Sequence, residues 1–280
     1  MMEDDFRSAA IVGLGLIGGS LARDLAERGV CVRAYDADPH HLESALRDGF
    51  VAEALDATLS GACDADVVIV AVPVDAATDV LRRIAPHTAN ARLITDVGST
   101  KSRIVALAGE LGLGGRFVGS HPLAGDHRSG WGASRTGLFS NARVYICPPA
   151  PPGGAAVVEL AADFWRRLGA SPTVLSADDH DRQLAWTSHL PHMVSTALAL
   201  ALARTGVERG DLGPGGRDVT RLAGGSPDVW TAIARDNAAV LDEALASAER
   251  ELAGIRDALN RADATELRRR FSTARAWFDV

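Results

Sequence analysis

Apolar positions change their rhythm once along this chain. Up to about residue 175, short apolar runs at residues 9–12, 30–35, 66–72, 92–96, 116–119, 142–147 and 172–175 are bounded by turn residues. Runs of that length predict strands, most of them buried. Helical spacing fills residues 16–28, 100–111 and the stretch up to 168 that follows a Pro/Gly loop at 148–154. Strands separated by crossover helices predict an α/β fold, a Rossmann-type doubly wound sheet.

From residue 178 the texture turns to Ala, Leu and Arg, with no strand-like run. One helix is predicted over 179–204, a Gly-rich loop over 210–216, and then a long helix. Its apolar positions are Trp230, Ile233, Val240, Leu241, Ala244, Ala248, Leu252, Ile255 and Leu259. A three-to-four spacing kept over several turns marks one packing stripe. The expectation is therefore a nucleotide-binding domain over 1–176 and an all-α domain over 177–280. So elongated a helical domain is expected to bury itself against a second copy, giving a homodimer.

Composition narrows the class. The chain has 280 residues, 47% of them hydrophobic and 23% charged, with a net charge of −7. These values are ordinary for a soluble globular protein and do not recommend nucleic acid as a partner. The basic run Arg268-Arg269-Arg270 falls on a terminal helix and reads as a solvated face. Three cysteines without a CxxC or Cys/His cluster fit reduced thiols and offer no metal site. The acidic start MMEDDFRS lacks the regions of a signal peptide, and the longest apolar helix, near 193–203, is too short to span a bilayer. A cytoplasmic protein with no membrane partner is expected.

The first candidate chemistry is Gly13-Leu14-Gly15-Leu16-Ile17-Gly18, set between the first strand and the first helix. In that context the first glycine makes the tight turn, the second lets backbone approach a pyrophosphate, and the third lets helix and strand pack closely. Unsatisfied N–H groups and the helix dipole then favour the anion. Leu16 and Ile17 in the loop, with Val72 and Pro73 after the third long strand, are further candidate cofactor contacts. Asp36 ends the second strand, where a carboxylate accepts from ribose hydroxyls and repels a 2′-phosphate, so NAD is expected over NADP. Arg33 alternates away from the loop and is discounted as a phosphate ligand.

Two further segments, Asp96-Val-Gly-Ser-Thr-Lys101 and Gly119-Ser-His-Pro-Leu-Ala-Gly125, carry a serine, a lysine and a histidine. Lys101 is the single lysine among 29 Lys and Arg residues, which suggests a position where a compact ammonium is needed. Ser99 and His121 are each expected just past a strand, on the ligand side of such sheets. A hydroxyl beside an imidazole fixes its tautomer, and a histidine near pKa 6.5 suits removal of a hydroxyl proton as hydride departs. Pro122 restricts His121 to extended backbone and helps aim its ring.

With these segments the chain resembles the prephenate/arogenate dehydrogenase family of tyrosine biosynthesis. The residues that carry the resemblance are the glycine loop, Asp96 to Lys101, Gly119 to Gly125, Ser188-His-Leu-Pro-His192 and Gly216-Arg-Asp-Val-Thr-Arg-Leu-Ala223, in family order. The resemblance implies NAD-dependent oxidative decarboxylation of a cyclohexadienol. Hydride leaves the carbon bearing the hydroxyl, the ring carboxylate departs as CO2, and the ring becomes aromatic. It implies His121 as the catalytic histidine, Ser99 as the serine that hydrogen-bonds near the ring hydroxyl and His192 as a second site histidine, with Ser188 one turn before it. Arg221 matches the arginine that grips a substrate carboxylate, with Asp218 placed to orient it. Trp230 matches an aromatic at the site mouth, although core packing is an equal reading. Pro191 should free the Thr187 carbonyl and kink the helix.

One departure from the family pattern leaves the substrate open. Asp126-His127-Arg128 follows Gly125, where many relatives carry a Thr-Glu-like pair. Asp126 would favour the ammonium of arogenate, whereas His127 or Arg128 would favour the second carboxylate of prephenate. An amino analogue of prephenate is a further alternative. The chain as given has no room for the regulatory domain or fused mutase of some relatives. Hydroxyacid dehydrogenases of similar architecture place a lysine on the first helix of the second domain, which is missing here. A non-enzymatic NAD sensor would need the loop but not Ser99, His121, His192 and Arg221 together.

Overall fold

The computed structural model describes residues 6–125, 128–149 and 154–279. They divide into two compact units, Met1–Leu184 with Gly224–Asn237, and Ala185–Ala223 with Ala238–Val280. The sequence places the division at 176/177, whereas residues 177–184 and the stretch 224–237, Trp230 included, fall with the first unit.

The first unit is a sheet covered by helices. Its elements in chain order are β1 (Ser8–Val12), α1 (Leu16–Glu27), β2 (Cys31–Tyr35), α2 (Pro39–Arg47), β3 (Glu53–Ala54), β4 (Val67–Val70), α3 (Val74–Ile84), β5 (Leu93–Asp96) and α4 (Ser102–Glu110). They continue with β6 (Phe117–Pro122), β7 (Arg143–Cys147), α5 (Ala155–Arg167), β8 (Ser171–Val174) and α6 (Ala177–Leu184). The strand order is β3-β2-β1-β4-β5-β6-β7-β8, and every pairing is parallel except β6 with β7. The order reverses direction between β1 and β4, which opens a crevice at their carboxyl ends.

Alternation within the strands explains why both faces are covered. Ala9, Ile11, Val67 and Ile69 belong to one core cluster with Leu21 and Trp165, whereas Ala10, Val12, Val68 and Val70 join the other with Leu81 and Phe117. Each fully buried large apolar side chain stabilises by about 1.5–3 kcal/mol. α2 has a local start signal of its own, since Asp38 accepts from the His40 N–H ahead of Pro39 at the first turn.

The remaining helices are a π segment (Ala185–His189), α7 (Leu190–Arg204), α8 (Pro214–Val219), α9 (Pro227–Asp236), α10 (Ala238–Asn260) and α11 (Ala264–Phe278). Four sequence expectations change here. Strand β6 runs on through His121 and Pro122, so His121 lies within a strand and not after it; its antiparallel partner β7 supplies the extra ladder. The helix expected over 179–204 contains the π segment, which spans Thr187, the carbonyl that the Pro191 ring displaces. The Gly-rich loop at 210–216 gives way to α8, started by Pro214 at its first turn. The single long helix from Trp230 is two, α9 and α10, broken at Asn237, whose side chain donates to the Asp181 carbonyl at 2.8 Å.

Candidate active site

The glycine loop sits where β1 and β4 part. Gly13 has φ +101°, and a Cβ there would collide with the Ala71 carbonyl of the neighbouring strand end. A Cβ on Gly18 would collide with the Gly13 carbonyl oxygen, so the third glycine lets α1 close onto its own loop. Gly15 differs: nothing lies within 4 Å of its missing side chain. That open face adjoins the start of α1, where no side chain caps the helix and no acidic residue occupies the first turn. Such a terminus suits a pyrophosphate, so the loop fits a dinucleotide. Asp36 lies half-buried beside it, with Oδ2 accepting from the Leu14 N–H at 2.5 Å and Oδ1 from the Asp38 N–H at 2.8 Å. Leu16, Ile17 and Val72 are half-buried along the same edge, and Pro73 is exposed there.

At the next strand ends, Asp96 pairs with Gly119 in the parallel register, which places Ser99 and His121 on neighbouring strand termini. Ser99 is half-buried, and His121 is 8% exposed. Beneath them the Lys101 ammonium donates to Asp96 Oδ2, with both side chains closed to solvent. Burial pushes the Asp96 carboxyl up, and the Lys101 ammonium opposes that push. Asp96 Oδ2 also accepts from the Gly98 N–H at 2.8 Å. Gly119 and Gly98 pack against this pair, where a Cβ would lie 3.3 Å and 3.0 Å from the Asp96 carboxylate. A compact ammonium fills the space left. Lys101 thus neutralises the buried Asp96 carboxylate beside the Gly119 backbone.

His121 does not stand alone. Its Nδ1 lies 2.9 Å from Nε2 of His180, and His180 Nδ1 lies 2.8 Å from Asp181 Oδ1. His180 is fully buried, and the Tyr145 ring stands edge-on to it at 5.4 Å. Tyr145 is opposite His121 in the β6–β7 ladder and accepts from the Gln183 amide at 2.7 Å. Asp181 also accepts from the backbone N–H groups of Lys101 and Ser102, each at 2.8 Å, and so closes the start of α4. Burial would raise the Asp181 carboxyl, but the donors from His180, Ser102 and Lys101 outweigh it and hold it below the usual range. Burial pushes the His180 imidazole down, with Asp181 opposing and Lys101 assisting.

Sequence reasoning missed His180, Asp181 and Tyr145. The signal was Asp178-Asp179-His180-Asp181 at a helix start, which reads as a solvated acidic cap until the fold buries two of its four residues.

In the second unit, His192 on α7 is half-buried and hydrogen-bonded to the Leu222 backbone. Burial lowers its pKa, and the nearby Arg221 charge lowers it further. Ser195 ties α7 to that segment, donating to the Val219 carbonyl at 2.8 Å and accepting from the Ala223 N–H at 3.1 Å. His192 and Arg221 are therefore brought together. Ser188 is half-buried in the π segment. Asp218 is exposed on α8, three residues before the exposed Arg221. Arg217 donates to the Gly210 carbonyl at 3.1 Å. Trp230 is half-buried on α9. Asp126 and His127 lie outside the described residues. Among the described residues no group of three or more His, Cys, Asp or Glu is placed to hold a metal ion, and no helix is long and apolar enough to cross a membrane.

Comparison with known proteins agrees with this architecture. Residues 21–174 match the family described as prephenate dehydrogenase, nucleotide-binding domain, and residues 176–273 match prephenate dehydrogenase, dimerization domain. The prephenate dehydrogenase of Bacillus subtilis (strain 168) is 34% identical, covering 96% of this chain and 74% of that relative. The crystal structure of prephenate dehydrogenase from A. aeolicus in complex with hydroxyphenyl propionate and NAD+ superposes with a TM-score of 0.87 at 27% identity, covering 97% of both chains. Synechocystis arogenate dehydrogenase gives a TM-score of 0.81 at 31% identity, covering 97% of this chain and 99% of that one.

Proposed function

The chain belongs to the prephenate dehydrogenase family, and from that premise we propose that it carries out the NAD-dependent oxidative decarboxylation of prephenate to 4-hydroxyphenylpyruvate. The observation that carries the reading is His121, a nearly buried imidazole at the carboxyl end of a sheet whose neighbouring edge holds a dinucleotide loop. NAD bound there supplies the hydride acceptor. The loop of residues 13–18 would hold its pyrophosphate on the start of α1, and Asp36 would accept from its ribose.

His121 draws the proton of the ring hydroxyl as hydride departs, and Ser99 on the adjacent strand end assists at that hydroxyl. Loss of the ring carboxylate as CO2 leaves an aromatic ring, so the driving force lies in the product. The protein needs one well-aimed base more than an electrophile. Arg221 is assigned to a substrate carboxylate, which its planar fork suits. His192, kept neutral by burial and by Arg221, serves as a hydrogen-bonding partner there, with Ser188 in support.

The chain is assigned as a cytoplasmic homodimer. Its unpaired cysteines support the compartment. The match to a dimerization domain supports the assembly, as do the exposed side chains of Leu252, Leu259, Phe271, Trp277 and Phe278 on α10 and α11.

Initial rates of NADH formation with prephenate and with arogenate test the assignment. Faster turnover of prephenate is expected. Faster turnover of arogenate would move the assignment to the activity named for the Synechocystis relative, and no turnover of either would overturn it.

A further inference from the structure

Hydrogen-bond logic across three side chains fixes a tautomer. Asp181 is held as a carboxylate by two backbone N–H donors at the start of α4, so it only accepts. His180 Nδ1, 2.8 Å away, must therefore carry a proton. His180 is enclosed, with Lys101 at the start of α4, Asp96 at the end of β5, Tyr145 on β7 and Asp181 on its own helix as the charged and titratable groups around it. Burial and the Lys101 ammonium disfavour a second proton on its ring. Its Nε2 is then a bare acceptor, and the nitrogen facing it at 2.9 Å, His121 Nδ1, must be the donor.

We infer that His180, anchored by Asp181, is a positioning residue that fixes His121 in the Nδ1–H tautomer and thereby makes Nε2 the basic nitrogen. The inference deepens the proposed function and rests on it for the role of His121 as base. In the step itself the hydroxyl proton moves to His121 Nε2, and the ring becomes an imidazolium whose Nδ1–H still donates to His180 Nε2. An acceptor on that N–H favours the charged ring, so it raises the basicity of His121. The same contact sets the plane of the ring, since the two imidazoles meet edge to face at 69°. Asp181 connects this device to the fold by closing α4, so the base is aimed from a rigid helix start.

Two measurements test it. In the wild-type protein, ¹⁵N chemical shifts of the histidine rings near neutral pH should show His121 protonated at Nδ1 and bare at Nε2. The Nε2–H tautomer would overturn the inference, and this readout does not depend on turnover. In His180→Ala, kcat should fall roughly 10- to 100-fold, part of what a positioned base contributes, with KM changed less than about twofold. The acid limb of the kcat/KM profile should move to lower pH, because the imidazolium has lost its acceptor. His180→Gln, whose amide offers one acceptor to His121 and one donor to Asp181, should restore most of the rate and the position of the limb. An unmoved limb in His180→Ala, or no rescue by Gln in a folded protein, would overturn it. Should His180→Ala not fold, the ring shifts and the Gln variant decide. Should neither substrate turn over, the tautomer still reads out, so the two failures stay distinct.

Discussion

The Lys101 ammonium is enclosed against the Asp96 carboxylate under the carboxyl end of the sheet, the two side chains 0% and 1% exposed. Breaking a buried pair from one side leaves an uncompensated charge, which costs about 3–5 kcal/mol. Lys101→Met should lose roughly that much in urea unfolding, whereas Lys101→Met/Asp96→Asn should recover most of it. Lys101→Arg should also destabilise, by about 1–3 kcal/mol, since the larger head overfills the space beside Gly98 and Gly119. A neutral Lys101→Met would contradict this role.

The two loop glycines should separate folding from binding. Gly18→Ala drives a methyl into the Gly13 carbonyl and should lower the melting temperature by several degrees. Gly15→Ala puts its methyl into open space and should leave melting nearly unchanged while weakening NAD binding by about tenfold or more, about 1.4 kcal/mol. Calorimetric titration with NAD, beside thermal melts of both variants, checks the split.

Asp36→Ala should weaken NAD binding roughly 10- to 100-fold, the loss of hydrogen bonds to a charged acceptor. It should also narrow the preference for NAD over NADP, because the repulsion of a 2′-phosphate is gone. Comparing kcat/KM for the two cofactors measures both effects. An unchanged preference would remove Asp36 from cofactor selection.

His121→Asn should reduce turnover by roughly 10²- to 10⁴-fold. Its amide still donates toward His180 Nε2, so the fold and NAD affinity should hold. Steady-state rates with a parallel NAD titration distinguish lost chemistry from lost binding.

Stability should decline on mild acidification. His180 and His192 both titrate below the ordinary histidine value in the folded chain, chiefly through burial. The unfolded chain then binds more protons near pH 6, so unfolding free energy rises with pH across that window. Their contribution is complete above about pH 6.5 and is lost as pH falls through the folded values. The urea midpoint should therefore be lower at about pH 5.5 than at about pH 7.5, and less so in His192→Gln. Equal wild-type midpoints would refute the assignment.

Much of the fold and part of the site could be read locally. The glycine loop, the strand runs and Asp36 are contiguous signals whose geometry depends on neighbours in sequence, and the structure keeps each where the pattern put it. Helix breaks were harder. Nothing local marks Asn237 as the end of α9, because its amide is drawn to the Asp181 carbonyl, 56 residues away. The continuation of β6 through His121 depends on an antiparallel partner, β7, which a parallel reading does not supply.

Sequence by itself determined the dinucleotide loop and the likeness to a decarboxylating dehydrogenase, and it singled out His121 as the candidate base, because spacing and residue type suffice for each. Only the tertiary structure decided what His121 leans on. Lys101 is buried because Asp96 faces it, and Asp181 stays ionised because α4 begins against it. His180 is 59 residues from the ring it touches. Hydrogen bonds and ion pairs over such separations follow from how β5, β6, α4 and α6 pack, and packing is a property of the folded chain that no local run of residues encodes.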